Sequence, residues 1–154
     1  MGNKQMIRNQ LTQRLALFSS LKSEPRPVSG WLRAIRSALN MSTPQLAKRL
    51  GVSKQRISAL EKAEVDGSAT INSLRKAAEA LDCTLVYAIL PRDSLDATIE
   101  KQARKVAARQ QAYATHTMSM EDQSPSEREQ KEALDAAVAE LVRTSPKELW
   151  DEVG

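Results

Sequence analysis

The sequence predicts a mainly α-helical protein: a helix-turn-helix bundle with one short β-strand and with helical extensions at both ends. Only 3% of the 154 residues are aromatic, so the core must consist mostly of Leu, Ala, Ile and Val, and this composition favours helices over a β-sandwich. Apolar residues recur at helical spacing along most of the chain. The run 84–90 is instead continuously apolar and β-favouring, and it closes at Pro91.

The N-terminal extension covers 1–30 and begins with an amphipathic helix. Over 4–21, apolar side chains recur at spacings of four, four and three, which place them on one helical face: Ile7, Leu11, Leu15 and Phe18. Pro25 and Pro27 then end the helix and predict an extended linker. We expect this helix either to clasp a second copy of the chain or simply to cover the core.

Four helices are predicted over 31–82, where they form one domain. We expect Thr43 to cap the second helix, Ser53 the third and Thr70 the fourth, because hydroxyl side chains satisfy free N–H groups at helix starts. Gly51 ends the second helix, since glycine permits the positive φ that a tight interhelical turn needs.

The C-terminal part consists of a strand within 83–91 and a helical extension over 92–154. A lone strand in a helical protein leaves an unpaired edge. Pairing with a second copy through Leu85, Tyr87 and Ile89 would satisfy it, and the alternative is a segment packed within one chain. The extension should contain a helix over 94–114 and a polar loop over 115–125. A last helix then starts at a capping box of Ser126 and Glu129.

The charge is divided unevenly between the two parts of the chain. Residues 1–64 hold 12 Lys or Arg against 3 Asp or Glu, whereas residues 65–154 hold 11 against 16. The difference predicts that the basic N-terminal part binds a polyanion and that the acidic C-terminal part does not compete for nucleic acid. The alternative is a solvated surface whose charges are simply uneven.

Several functional classes find no support in the sequence. Cys83 is the single cysteine and His116 the single histidine, too few for a disulfide or a Cys/His metal site. We find no catalytic set, no phosphate loop and no cofactor motif, so we expect a protein that is not an enzyme. No apolar run approaches membrane-spanning length and no signal peptide is evident, so we expect a soluble, cytoplasmic protein without a membrane partner.

The segment Ser42–Glu64 carries the most specific motif. Two short helices meet at Gly51, Ala47 is small enough for them to approach closely, and Ile57 and Leu60 face the core. This spacing resembles the lambda-repressor and Cro-like (XRE-type) helix-turn-helix regulators over about 31–81. The resemblance implies a five-helix bundle that presents the second motif helix to the major groove of double-stranded DNA.

Residues after Ser53 would then read the DNA. Lys54 can donate to guanine, Gln55 can bond adenine, and the exposed positions Ser58 and Ala59 complete the base-reading set. The resemblance assigns phosphate contacts to Gln45, Ser53 and Arg56, and the helix starts at Thr43 and Thr70 add backbone N–H groups. Four further cations are either phosphate contacts or solvated charges: Arg33, Arg36, Arg49 and Lys62.

The wider stretch 41–92 resembles a narrower group, the mobile mystery protein A family. The resemblance implies an autoregulatory repressor encoded beside a Fic-domain protein, and thus an antitoxin of a toxin–antitoxin pair. One departure concerns the inhibitory helix of Fic antitoxins, which reads Ser/Thr, three residues, Glu, then Gly/Asn. The nearest matches, Ser20–Glu24 and Thr144–Glu148, are followed by Pro25 and Leu149 and do not complete it.

Three functional hypotheses follow from the sequence. The first is a homodimeric repressor on a palindromic operator, supported by the motif and the basic N-terminal part. The second is an antitoxin that neutralises a partner by direct binding, supported by 10 acidic against 4 basic residues over 121–154. The third is a helical adaptor that never touches DNA.

Overall fold

The computed structural model describes residues 2–120 and 125–151. The chain divides into two compact units: one is the continuous stretch Ser20–Ile89, and the other joins the stretch up to Ser19 with the stretch from Leu90 onward. Within the described residues lie these helices: α1 (Gly2–Ala16), α2 (Trp31–Ala38), α3 (Thr43–Leu50), α4 (Lys54–Asp66), α5 (Ile71–Ala80), α6 (Leu95–Met120) and α7 (Glu127–Thr144). Single 3₁₀ turns occupy Ser19–Lys22 and Lys147–Trp150.

Helices α2 to α5 form a bundle around one apolar core. Its buried members come from all four helices and the turn after α5: Leu32, Leu46, Ala47, Ile57, Ala77 and Leu81. Each helix contributes an apolar stripe at helical spacing, as predicted, and these stripes meet inside the bundle. The small side chain of Ala47 lies in that core, where α3 packs against α4.

The turn between α3 and α4 has the predicted glycine geometry. Gly51 adopts φ 68°, ψ 32°, the left-handed conformation, and its N–H reaches the carbonyl groups at the end of α3. The Val52 N–H donates to the Ala47 carbonyl oxygen at 3.0 Å. These bonds satisfy carbonyls that a helix end otherwise leaves open, and they fix the angle at which α4 leaves α3.

The cap of α3 is Ser42, so the prediction of Thr43 as its N-cap was wrong. The Ser42 hydroxyl accepts the Gln45 N–H at 3.3 Å, and the Gln45 side-chain oxygen accepts the Ser42 N–H at 2.7 Å. Ser followed three residues later by Gln has the spacing of a reciprocal capping box. A cap at Thr43 would place Leu46 at the third helical position, where it has no group to return the bond. The caps predicted at Ser53, Thr70 and Ser126 are confirmed.

The other unit is built from α1, α6 and α7. Successive contacts run in opposite directions along α6 and the C-terminal segment, so α6 and α7 are antiparallel: Gln111 to Gln130, Arg104 to Asp135, and Gln102 to Leu149. Ala103, Ala107, Val138 and Leu149 form its buried core. Helix α1 has no buried residue, and Arg8 ties it to Asp96 at 3.0 Å.

The strand predicted over 84–90 was wrong. Residues 83–91 contain neither helix nor strand, and no strand occurs anywhere in the described residues. A β-favouring run needs a neighbouring backbone to complete its ladder, and the described part of each unit offers only helices and turns. Leu85 is half-buried, whereas Tyr87 and Ile89 are 64% and 87% exposed.

Helix α6 is longer than predicted. It continues through residues 115–120, part of the predicted polar loop, and residues 121–124 of that loop lie outside the described residues. Helix α1 ends earlier than predicted, at Ala16, before the 3₁₀ turn. None of the described helices is both long and apolar enough to cross a membrane.

Candidate nucleic-acid interface

Helix α4 exposes the first two turns that the sequence analysis assigned to DNA reading. It starts directly after Ser53, whose hydroxyl accepts the Arg56 N–H at 3.2 Å. The predicted side chains are all exposed: Lys54, Gln55, Arg56, Ser58 and Ala59. Ile57 is 1% exposed and anchors the opposite face of the helix in the core. The helix therefore presents a short polar surface, and the packing of Ile57 in the core fixes the position of that surface.

The caps leave specific groups available for phosphate contact. The Ser53 oxygen accepts a bond from its own helix, so its hydroxyl hydrogen is the group that can donate outward. Gln45 uses its side-chain oxygen in the capping box, which leaves the NH₂ group as the donor. At Thr70 the hydroxyl accepts the Ser73 N–H and donates to the Ser73 hydroxyl, so only the backbone N–H groups of α5 remain for an anion.

A groove of about 830 Å³ runs beside α4. Thr43 and Ser58 both line it, so a residue predicted to contact phosphate and one predicted to face bases meet in one concavity. Arg33 and Lys62 add positive charge to its walls. The sequence left open whether Arg33 and Lys62 contact phosphate or are solvated charges. Their position in the same groove favours a phosphate contact.

A second groove, of about 530 Å³, lies on the outer side of α3. Gln45, Lys48 and Arg49 line it together with the turn after α2. The exposed amide and the two cations form a single donor-rich edge next to the capped start of α3. Lys48 was not singled out in the sequence. Its exposure and its neighbours now place it beside the predicted phosphate contacts.

Arg36 and Glu61 form an ion pair inside the bundle. Their closest atoms, Nε and Oε1, are 2.6 Å apart, and the side chains are only 12% and 10% exposed. Arg36 also donates to the Met41 carbonyl oxygen at 2.9 Å. The hydrogen bonds that Arg36 donates to the Glu61 carboxylate raise the pKa of Arg36. Arg36 therefore holds α2 to α4, and its guanidinium is engaged within the bundle.

Residues 32–87 match the family model described as Helix-turn-helix, a stretch that covers α2 to α5. This stretch is a helix-turn-helix DNA-binding domain. The match confirms the predicted likeness to lambda-repressor and Cro-like regulators, and it covers just over a third of the chain. The chain has no match among the curated proteins and none among the solved structures.

The far end of α4 is fixed by contacts that the sequence analysis missed. The Glu64 carboxylate accepts the N–H groups of Trp31 and Leu32 at 2.7 and 3.0 Å, and so caps the start of α2 in the helix-turn-helix domain. Gly30, with φ 81°, makes that approach possible, because a Cβ there would lie 2.9 Å from Glu64 Oε2. The sequence signal for this contact was a carboxylate one helical turn beyond Leu60, which packs against the core.

The linker before the helix-turn-helix domain is also attached to α4. Arg26 donates to the carbonyl oxygens of Glu64 and Val65 at 3.1 and 2.6 Å. A cation near a helix C-terminus is favourable because the carbonyl ends carry partial negative charge. Residues 26–30 are thus held against the end of the reading helix.

The metal-ligating side chains that the structure describes form no cluster. No group of three or more His, Cys, Asp or Glu side chains that could hold a metal ion occurs among residues 2–120 and 125–151. Cys83 is half-buried after α5, and its thiol donates to the Leu81 carbonyl oxygen at 3.4 Å. The hydrogen-bond donors described above lie on the surface of α3 and α4.

Proposed function

We propose that the chain is a sequence-specific transcriptional regulator that binds a palindromic operator as a homodimer and represses its own operon, which includes a Fic-domain partner gene. The observation that carries the proposal is the exposed start of α4, where Lys54, Gln55, Ser58 and Ala59 stand on a helix anchored by Ile57. In this class of fold that helix enters the major groove. The proposal assigns no catalytic step to the chain.

Each exposed side chain has a distinct role in this proposal. Lys54 donates to guanine O6 and N7, and Gln55 forms a bidentate pair with adenine N6 and N7. Ala59 contributes a methyl contact or close approach. Arg56, Gln45 and Ser53 hold the DNA backbone and set the register of the reading helix.

Dimerisation is proposed through the segment that follows the helix-turn-helix domain. Val86, Tyr87 and Ile89 are well exposed, although apolar side chains of this size are usually covered. Contact between these side chains in two copies would cover them and relate two reading helices by a two-fold axis. Half-sites about 34–36 Å apart, or a multiple of that, would then match one face of the duplex.

Footprinting on the DNA upstream of the chain's own gene tests the proposal. We expect protection of a palindromic site, and Gln55→Ala should cost about 1–3 kcal/mol and relax discrimination at one base pair per half-site. Gln13→Ala removes the same kind of side chain from α1 and should leave both affinity and discrimination unchanged. Equal binding of wild type and Gln55→Ala to operator and random duplexes would refute sequence-specific reading.

A second candidate function is direct neutralisation of the Fic-domain partner by the unit that contains α1, α6 and α7. This unit is compact in its own right and exposes Met6, Ile7 and Leu11 on α1. Co-expression with the neighbouring gene product tests it. A Lys54→Ala, Gln55→Ala variant that no longer binds the operator should still relieve toxicity and co-purify. Loss of both effects, or unchanged toxicity with wild type, would argue against direct neutralisation.

A further inference from the structure

A row of cations runs along the outer face of α6, outside the helix-turn-helix domain. Lys101, Lys105 and Arg109 are spaced four residues apart, and all are exposed. Residues four apart are neighbours on a helix surface, so the three form one inclined row with about 6 Å of axial rise between members. Tyr113 continues the row and is 78% exposed.

The row lies on the side of α6 away from the core. Ala103 and Ala107 are 0% and 1% exposed and mark the buried side. At about 100° per residue, Lys105 is about 200° from each of them, which is the opposite side of the helix. The row therefore takes no part in the packing of α6 against α7.

No residue that the structure describes pairs with the cations of the row. Asp96 pairs with Arg8, and Glu100 pairs with Arg104, which also reaches Asp135. Lys101, Lys105 and Arg109 form no ion pair with any residue that the structure describes. The acidic side chains of α6 are thus collected on one side of the helix and the unpaired cations on another.

The chemistry of the row fits a regularly charged polyanion better than a protein surface. A protein interface needs an apolar centre, whereas the other exposed residues over 101–113 offer no large apolar side chain: Arg104, Ala108, Gln110 and Ala112. Duplex DNA carries about one charge per 1.7 Å of axis, or about ten over the roughly 18 Å from Lys101 to Tyr113. A tyrosine hydroxyl is also among the groups that bond phosphate oxygens.

We propose that this row, Lys101, Lys105 and Arg109 on α6, is a second DNA contact that binds the phosphate backbone of duplex DNA and reads no bases. The inference rests on the proposed function, because it adds a sequence-independent contact to a chain whose helix-turn-helix domain supplies the reading. The row raises the affinity for all duplexes by the same factor and makes binding more sensitive to salt.

The test compares the full-length chain with a Lys101→Gln, Lys105→Gln, Arg109→Gln variant on the footprinted operator and on a random-sequence duplex. Each phosphate contact contributes about 0.9 to the slope of log affinity against log salt concentration. The variant should therefore lose about 2–3 units of slope on both duplexes and keep the wild-type ratio between them. Glutamine is a good helix former, so the exposed substitutions leave α6 intact.

The matched control is Lys4→Gln, Lys131→Gln, Lys147→Gln, which removes three exposed cations from other elements of the same unit, namely α1, α7 and the turn Lys147–Trp150. It should keep the wild-type slope. If wild type discriminates between the duplexes but both triple variants have the same slope, the row is not a DNA contact and the proposed function stands. If wild type binds neither duplex, the proposed function is refuted and the inference with it.

Discussion

The carboxylate of Glu61 receives two hydrogen bonds from the guanidinium of Arg36, one at 2.6 Å from Nε and one at 3.2 Å from Nη2. The pair joins α2 to α4, and both side chains line the same groove as Ser58. Because Arg36 also bonds the Met41 carbonyl oxygen, one side chain connects the reading helix, α2 and the turn before α3. The orientation of α4 within the bundle therefore depends on this ion pair.

Replacing Arg36 should destabilise the helix-turn-helix domain. Arg36→Met leaves the Glu61 carboxylate largely buried without its partner, at a cost of about 2–4 kcal/mol in the free energy of unfolding. Urea unfolding measures the loss. The double variant Arg36→Met, Glu61→Met should recover much of it, since no buried charge is left. A double variant as unstable as the single one would contradict this account of the pair.

The capping box of α3 predicts different effects at two neighbouring hydroxyl residues. Ser42→Ala removes the acceptor for the Gln45 N–H and should cost about 1 kcal/mol. Thr43→Ala lies within the first helical turn and should change the stability by less than about 0.5 kcal/mol. Thermal unfolding of both variants checks the order. Equal losses would indicate that Thr43 shares the capping role.

Two glycines with positive φ should respond differently to alanine. An added Cβ at Gly51 would have no atom within 4 Å. Gly51→Ala should therefore lower the free energy of unfolding only by the strain of a left-handed alanine, about 1–2 kcal/mol. At Gly30 the added Cβ would also collide with Glu64, so we expect Gly30→Ala to lower the free energy of unfolding by about 2–4 kcal/mol. Comparing the two variants by urea unfolding checks this. A smaller loss at Gly30 than at Gly51 would contradict the close approach to Glu64.

Arg56 and Gln55 should separate backbone binding from base reading on the same helix. Arg56→Gln should weaken binding to all duplexes alike and lower the salt slope by about 1, because one phosphate contact is lost. The ratio of its affinity for the operator to its affinity for a random duplex should equal that of the wild type. Fluorescence anisotropy titrations over a range of salt concentrations provide both quantities. If the variant no longer discriminated between operator and random duplex while its salt slope stayed unchanged, Arg56 would instead be a base-reading residue.

The capping box of α7 predicts an acid-sensitive contribution to stability. The Ser126 N–H and then its hydroxyl hydrogen-bond the Glu129 carboxylate and lower the pKa of Glu129 below its usual range. The contribution is complete above the pKa of an unfolded chain, about 4.3, and is lost as the pH falls towards the lower folded value. Glu129→Gln should flatten the pH dependence of the unfolding temperature in that window. An unchanged profile would contradict the linkage.

Local rules made much of the fold predictable. The turn at Gly51 and the caps at Ser53, Thr70 and Ser126 depend on residues close in sequence, and they formed as predicted. The failed strand at 84–90 depends on a pairing partner, which composition alone does not supply.

In the candidate site, too, features that depend on neighbouring residues were predictable, whereas contacts between residues far apart in sequence were not. The exposure of Lys54 and Gln55 followed from the helical period that buries Ile57. The contacts from Arg36 to Glu61 and from Arg26 to the end of α4 join residues 25 and 38 or more positions apart. No spacing rule links such residues, so the supports behind the reading surface were visible only in three dimensions.

The order of synthesis gives the two units different histories. The helix-turn-helix domain lies within one continuous stretch, Ser20–Ile89, and has all its core residues as soon as that stretch leaves the ribosome. Helix α1 is made before its partner α6, which follows some 80 residues later, so the contact of Arg8 with Asp96 forms only after α6 has been made. Proteolysis beyond Ile89 would leave α1 without its contact to Asp96 and would keep the stretch Ser20–Ile89 whole.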